Sequence, residues 1–180
     1  MSNAQIEADI KERSAQLYEQ QATRYYEYTD RMFAILMSFQ WVLALAFAFI
    51  VSPRQWDGTT STPHLHIHTA LIVGGALTIL PVHMGLNHAG KTATRYVIAV
   101  FQMLMSALLF PLCGGRIETH FHVFASLASP AFYRDWKILI PATVTIAADH
   151  LLRGYLWPES VYGISVAGPW RSLEHAAWVV

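Results

Sequence analysis

The segment MFAILMSFQWVLALAFAFIV, residues 32–51, decides the fold because it is apolar almost throughout and carries no charged side chain. About 20 helical residues cross the roughly 30 Å hydrocarbon core of a bilayer, so this segment is predicted to be a membrane-spanning helix. The composition of the whole chain agrees, since 54% of its 180 residues are hydrophobic and only 13% are charged. Such a chain is expected to be an integral membrane protein.

Further apolar segments follow the first span at regular intervals. The predicted helices are residues 65–84, 95–113, 118–133 and 138–157. Gly114-Gly115 ends the third span, Pro158 stops the fifth helix, and Ser172 is a plausible N-cap for the start of a sixth. The sequence therefore predicts an all-α, polytopic membrane bundle of about five spanning helices, with the start of a sixth.

The first thirty residues differ in composition from the rest because charged and apolar side chains alternate irregularly there. This pattern is typical of an amphipathic helix at the aqueous boundary of a membrane. A secretory signal would instead open with a basic stretch followed by an apolar run. We therefore divide the chain into an interfacial or cytoplasmic helix, residues 1–30, and a histidine-rich transmembrane domain, residues 31–180.

Charge and cysteine content exclude several classes of protein. The net charge is zero and no block of like charge occurs, which removes the electrostatic argument for nucleic-acid binding. Cys113 is the only cysteine, so neither an internal disulfide nor a thiolate zinc cage is possible. No phosphate-binding loop, nucleophile elbow or zinc-protease motif occurs. A metal in this chain must be held by nitrogen and oxygen.

The basic residues predict the orientation of the bundle. Loops on the cytoplasmic side of a membrane protein carry an excess of lysine and arginine, and this excess favours a cytoplasmic N-terminus. The basic residues predicted on the N-terminal side are Arg24, Arg31, Lys91, Arg95, Arg134 and Lys137, and those in the opposite loops are Arg54, Arg116 and Arg171.

With this topology, seven of the nine histidines fall towards the outer face, beside several carboxylates. Ionisable groups at membrane depth are costly and usually face one another or a polar cavity, so a shared depth predicts one buried metal site. The candidate ligands are His64, His66, His68, Glu118, His120, His122, His150 and His175. The candidate supporting residues are Asp149, Glu174 and Arg153.

Not every candidate needs to touch the metal. An extended backbone would put His64, His66 and His68 on one side, whereas a helix would split them, and we expect two of the three to bind. If the fourth helix starts at or before Glu118, Glu118 and His122 share a helix face and His120 points about 200° away from Glu118. Asp149 and Glu174 are either ligands or hydrogen-bond acceptors that orient a histidine. Arg153 lies one turn from Asp149, and pairing would make that carboxylate less available.

Several runs resemble the N-terminal membrane module of certain bacterial sensor histidine kinases, diguanylate cyclases and chemoreceptors. They are GGRIETHFHVF (114–124), YRDW (133–136), DHLLRG (149–154), WPESVYG (157–163) and WRSLEHA (170–176). The resemblance covers nearly the whole chain. It implies a non-enzymatic sensory input domain that works as a homodimer and whose output module follows the last helix. That module is not in this sequence, which is therefore expected to be part of a longer protein. Such modules tend to carry a further histidine near Pro111 and a glycine near Ala125, so the ligand set here is expected to be reduced or shifted.

The leading hypothesis is a transmembrane sensor that binds one or two transition-metal ions and relays metal, redox or gas state to a cytoplasmic output module. Imidazole and carboxylate suit copper, iron, zinc and nickel. Three alternatives stay open: haem b held by two histidines of facing helices, a non-haem iron membrane oxidase, and a pH-responsive histidine cluster without metal.

Overall fold

The computed structural model describes most of the chain as a bundle of helices. It describes residues 2–51, 54–57, 60–63, 65–112 and 118–158, together with residues 161, 168, 170, 171 and 174. Of residues 51, 54–57, 60–63 and 118–120 it describes the backbone. The elements are α1 (Asn3–Val51), β1 (Arg54–Asp57), β2 (Thr60–Pro63), α2 (Leu65–Asn87), α3 (Thr92–Leu112), α4 (Glu118–Ala128), 3-10 turns at Ser129–Tyr133 and Trp136–Ile138, and α5 (Leu139–Leu156). Apart from the hairpin, these elements confirm the predicted all-α class.

Helix α1 is continuous over 49 residues and joins the two parts that the sequence predicts as separate. Its length is about 73 Å at the usual rise of about 1.5 Å per residue. No glycine or proline occurs between its ends, so nothing in the backbone breaks the helix where the composition changes. Residues 2–21 are exposed, Tyr25 and Tyr26 are half-buried against the bundle, and Thr29 and Asp30 are the first buried residues. The charged N-terminal part is thus a rigid extension of the first span.

Three helices of the described chain are long and apolar enough to cross a membrane: α1, α2 and α3. Helix α4 has 11 residues, a length of about 16 Å, and α5 has 18 residues that include Asp149 and Arg153. Large apolar side chains on the outer faces of α1 and α2 are exposed, as expected for contact with lipid; they include Ile35, Phe39, Ile50, Ile72 and Ile79. The chain is therefore a membrane protein, and the number of five spans stays a prediction.

Helix α3 is central, because it contacts α1, α2, α4 and α5. Its buried side chains take part in two apolar clusters, one against α1, α4, α5 and the 3-10 turns and one against α1 and α2. Helices α1 and α2 approach closely where Trp41 lies over Gly74, since a Cβ at Gly74 would stand 2.9 Å from Trp41 Cδ1. The Trp41 indole also donates to the Ala70 carbonyl at 3.0 Å.

The polar break after the first span contains a small β-hairpin. Strands β1 and β2 pair antiparallel, with Arg54 opposite Pro63 and Asp57 opposite Thr60. Threonine and tryptophan in this run favour extended backbone over helix. The hairpin is followed by α2, which begins at Leu65. His66 and His68 therefore lie on a helix, and the extended alternative for these two residues is wrong.

Candidate functional site

A buried polar network centred on His122 joins three helices of the otherwise apolar bundle. His122 on α4 places Nδ1 3.1 Å from the Ser106 hydroxyl and 3.3 Å from the Ser126 hydroxyl. The Gln102 amide on α3 donates to Ser126 at 3.1 Å. On the other side of the ring, the Gln40 amide nitrogen of α1 lies 3.5 Å from His122 Nε2.

The direction of the hydrogen bonds around His122 follows from its partners. The Ser106 hydroxyl donates to the Gln102 carbonyl at 3.0 Å, so it accepts from His122 Nδ1–H. His122 Nε2 then carries the lone pair and faces the Gln40 amide as an acceptor. This neutral tautomer is inferred from the hydrogen-bond pattern. The network thus holds one imidazole in a fixed orientation between α1 and α3.

Two acceptors of the network find no hydrogen-bond partner among the described residues. They are the buried side-chain oxygens of Gln40 and Gln102, whose amide nitrogens are both engaged. A buried polar atom without a partner costs about 1–3 kcal/mol, which is why such atoms are rare in folded proteins. Both oxygens can therefore accept a further hydrogen bond.

Asp149, His150 and Arg153 form a second polar group on α5. Arg153 Nε donates to Asp149 Oδ1 at 2.8 Å, and a terminal guanidinium nitrogen of Arg153 donates to Oδ2. The predicted pairing of Asp149 with Arg153 is therefore confirmed. His150 Nδ1 lies 3.0 Å from the Ile146 carbonyl, and its ring contacts Phe110 at 5.2 Å. The α5 carboxylate is thus already engaged by a guanidinium.

The other predicted ligands are dispersed or lie outside the described part of the chain. His66 is half-buried and His68 is exposed. Residues that are two positions apart on a helix point in directions about 200° apart, so these two rings face different sides of α2. Glu174 is exposed. His64 and His175, and the side chains of Glu118 and His120, fall outside the described residues. Among the residues that are described, no three histidine, cysteine or acidic side chains converge on a point where they could hold a metal.

Sequence reasoning missed the partners of His122. Gln102 and Ser106 are four residues apart on α3, as are His122 and Ser126 on α4, and Gln40 is a polar amide inside the apolar run that decides the fold. Such i, i+4 polar pairs within a membrane helix share one face. Together with the usual inward position of polar groups in membrane helices, this pattern would have indicated the network.

A third polar group, centred on Asp30, lies at the end of the bundle where the charged part of α1 meets it. The Asp30 carboxylate is fully buried and accepts the Tyr133 hydroxyl and the Gly90 backbone N–H, each at 2.7 Å. Burial raises the pKa of the Tyr133 phenol above its usual value of 10, and the hydrogen bond to Asp30 raises this pKa further. Tyr133 therefore stays protonated and donates at physiological pH. This centre joins α1, the α2–α3 turn and the segment after α4.

The chain matches no protein-family model and no solved structure. Over 111 residues, or 61% of this chain, it is 32% identical to the transducer protein Htr8 of Halobacterium salinarum. The matched segment is 17% of the length of that relative. This chain is therefore similar to a minor part of a much longer transducer protein.

Proposed function

We propose that this chain is the membrane-embedded sensory input domain of a signal-transduction protein. The observation that carries the proposal is the 32% identity over 111 residues to part of a transducer protein. The resemblance to the membrane modules of sensor kinases, diguanylate cyclases and chemoreceptors supports the same role. In this proposal the domain is not itself an enzyme, and a kinase, cyclase or chemoreceptor module of the full-length homodimer produces the output.

The proposed topology places the N-terminus in the cytoplasm and the bundle in the inner membrane. The basic residues at the Asp30 end support this orientation under the positive-inside rule; they include Arg31, Lys91, Arg95, Arg134 and Lys137. In this proposal the predicted five spans are completed by α5 and by α4 together with the 3-10 turn Ser129–Tyr133 that follows it. His122 then lies towards the outer half of the bundle, and the exposed part of α1 lies in the cytoplasm.

The His122 network is suited to detecting a ligand because it links three separate helices, α1, α3 and α4. Gln40 contacts His122, and α1 continues without a break from Gln40 to Asn3. A ligand that changes the bonding of His122 would change the position of α1 relative to α3 and α4. Signalling needs such an element with two arrangements, and α1 is the helix that reaches furthest from the bundle.

The proposed ligand is a transition metal, copper, iron or zinc, bound as one or two ions through histidine and carboxylate. The support is the half-buried imidazole of His122, together with the buried amide oxygens of Gln40 and Gln102, for which the described residues provide no hydrogen-bond partner. Glu118 and His120 precede it on α4. A metal at His122 Nε2 would displace the Gln40 amide, so metal arrival would be transmitted directly to α1.

Elemental analysis of the detergent-purified chain, with an optical spectrum, tests the metal. The wild type is compared with His122→Ala, with the double variant His120→Ala/His150→Ala, and with His88→Ala, whose histidine lies at the opposite end. Near-stoichiometric metal in the wild type and in His88→Ala, but not in the other two, is expected. A Soret band would assign haem b instead. Absence of metal from every sample, even after reconstitution, would overturn metal binding and leave a polar or pH-responsive cluster.

A further inference from the structure

A cavity of about 270 Å³ opens between α1 and the segment that follows α4, away from the His122 network. Its lining includes Tyr18, Gln21, Tyr25 and Tyr26 of α1, together with Tyr133 and Arg134. All four α1 residues precede the apolar run 32–51, so the cavity lies where the bundle leaves the hydrocarbon. Its volume is just below the roughly 300–1,000 Å³ of typical ligand pockets, which suits a compact group.

The charged side chain that lines the cavity is a cation, Arg134. Arg134 is exposed and stacks over the Tyr25 ring, 5.1 Å from its centroid. Within the described part of the chain, no carboxylate lies at ion-pair distance from Arg134, and no acidic residue lines the cavity. The Arg134 charge is therefore held at the cavity by an aromatic ring and is left without an anion of the protein's own.

A second arginine lies against the cavity wall. The Arg95 guanidinium is 3.8 Å from the centroid of the Tyr26 ring, which itself lines the cavity. Arg95 is only 8% exposed, and its Nε has no hydrogen-bond partner in the part of the chain that the structure describes. Asp30 balances part of this charge, but that carboxylate already accepts Tyr133 and Gly90. Two guanidinium groups therefore face two neighbouring tyrosines on the same part of α1.

We propose that this cavity binds a phosphate group, supplied either by the headgroup of an anionic lipid or by free phosphate. The arginine fork matches phosphate oxygens in a bidentate manner, and phenolic hydroxyls add donors. Tyrosine is common where membrane proteins meet the headgroup layer, and basic residues near the cytoplasmic surface attract anionic lipids. The assignment to the cytoplasmic leaflet rests on the proposed topology, whereas the phosphate chemistry does not.

A bound phosphate group would connect α1 with the segment that follows α4, and these two elements already contact each other beside the cavity. The Tyr25 hydroxyl donates to the Phe132 carbonyl at 2.7 Å, beside Arg134. A phosphate bound by Arg134 and the α1 tyrosines would strengthen this junction, so occupancy is expected to raise the thermal stability of the bundle.

The test measures thermal unfolding of the whole chain in a neutral maltoside detergent. The probes are dihexanoyl phosphatidylglycerol, dihexanoyl phosphatidylcholine and inorganic phosphate, each titrated separately. The variants are Arg134→Gln, Arg134→Lys, and Lys137→Gln as a control that removes an exposed charge of the same region outside the cavity. We expect a saturable rise in midpoint with phosphatidylglycerol but not with phosphatidylcholine. Arg134→Gln should weaken binding about tenfold or more, Arg134→Lys should weaken it less, and Lys137→Gln should bind as the wild type does.

The outcomes separate the sources and decide the proposal. A rise with phosphatidylglycerol alone assigns a lipid headgroup, and an equal rise with inorganic phosphate assigns the free anion. If neither probe gives a saturable change, or if Lys137→Gln weakens binding as much as Arg134→Gln, the cavity is not a phosphate site. The metal analysis of His122 variants does not depend on this result, so failure here leaves the sensory proposal standing.

Discussion

Tyr133 donates a 2.7 Å hydrogen bond from its hydroxyl to Oδ1 of Asp30, a residue 103 positions earlier in the chain. The Tyr133 ring also stacks on Phe33 with centroids 5.4 Å apart, so one side chain contributes both polar and apolar contact to α1. Asp30 in turn accepts the Gly90 N–H. The contact therefore holds α1 to the bundle at the point where its exposed N-terminal part begins.

Replacing Tyr133 by phenylalanine should destabilise the bundle by about 1.5–3 kcal/mol, the range for a hydrogen bond to a charged group. The Phe33 stacking is retained in this variant, so the loss reports the hydrogen bond. Thermal unfolding in detergent measures it, with the exposed Tyr28→Phe as the matched control. An unchanged midpoint in Tyr133→Phe would show that the contact adds no net stability.

The raised pKa of Tyr133 predicts that the stabilities of the wild type and of Tyr133→Phe depend differently on pH in the alkaline range. A group whose pKa is higher in the folded state adds stability that is fully present below its unfolded pKa and is lost as pH rises through the folded pKa. The wild type should therefore lose stability above about pH 10, relative to Tyr133→Phe. Unfolding midpoints of both proteins between pH 8 and about pH 11 test this, and parallel curves would contradict it.

Two glycines near Asp30 should differ in how much stability the protein loses when each is replaced by alanine. A Cβ at Gly85 would lie 2.8 Å from the Asp30 backbone oxygen, which cannot move without separating α1 from α2. At Gly90, with φ of +85°, the Cβ would meet the flexible Glu27 side chain, and the backbone conformation costs roughly 1–2 kcal/mol. Gly85→Ala should lower the unfolding midpoint more than Gly90→Ala. Gly168→Ala, in open space, should have no effect.

Asp149 and Arg153 should behave as a coupled pair. Their side chains are only 17% and 20% exposed, so removing either leaves a poorly solvated charge. Asp149→Asn and Arg153→Gln should each cost about 1–3 kcal/mol, and the double variant should cost less than the sum. A double-mutant cycle on thermal or denaturant unfolding measures the coupling. Additive losses would mean that the two groups act independently.

Gln40→Leu tests the proposed route from His122 to the cytoplasm. The change removes the His122 contact and one unsatisfied oxygen while keeping the side chain's approximate size, so stability should change by less than about 1.5 kcal/mol. When the chain is joined to its proposed output module, Gln40→Leu and His122→Ala should shift basal output in the same direction. The exposed, lipid-facing Phe39→Leu is the control. Normal output in Gln40→Leu beside altered output in His122→Ala would exclude α1 as the route.

The sequence alone predicted the positions of most helices because each helix corresponds to a continuous apolar segment with polar residues at its ends. Residues 65–84 and 95–113 were predicted as spans, and the helices cover Leu65–Asn87 and Thr92–Leu112. The division at residue 30 followed a change in composition, but the backbone has no glycine or proline there, and α1 continues through it. Helix continuity depends on backbone chemistry, whereas the position of the membrane boundary depends on side-chain polarity.

The polar centres depended on tertiary structure. The sequence singled out His122 but not its contacts with Gln40, Ser106 and Ser126, and it gave no partner for Asp30. Proximity along a helix is set by a fixed rise and rotation, so the pairing of Asp149 with Arg153 could be anticipated. Which side chains meet across helices depends on how ridges pack into grooves. The sequence by itself therefore determined a helical membrane protein with histidines on several of its helices, and only the packing of α1, α3 and α4 decided which polar groups share a site.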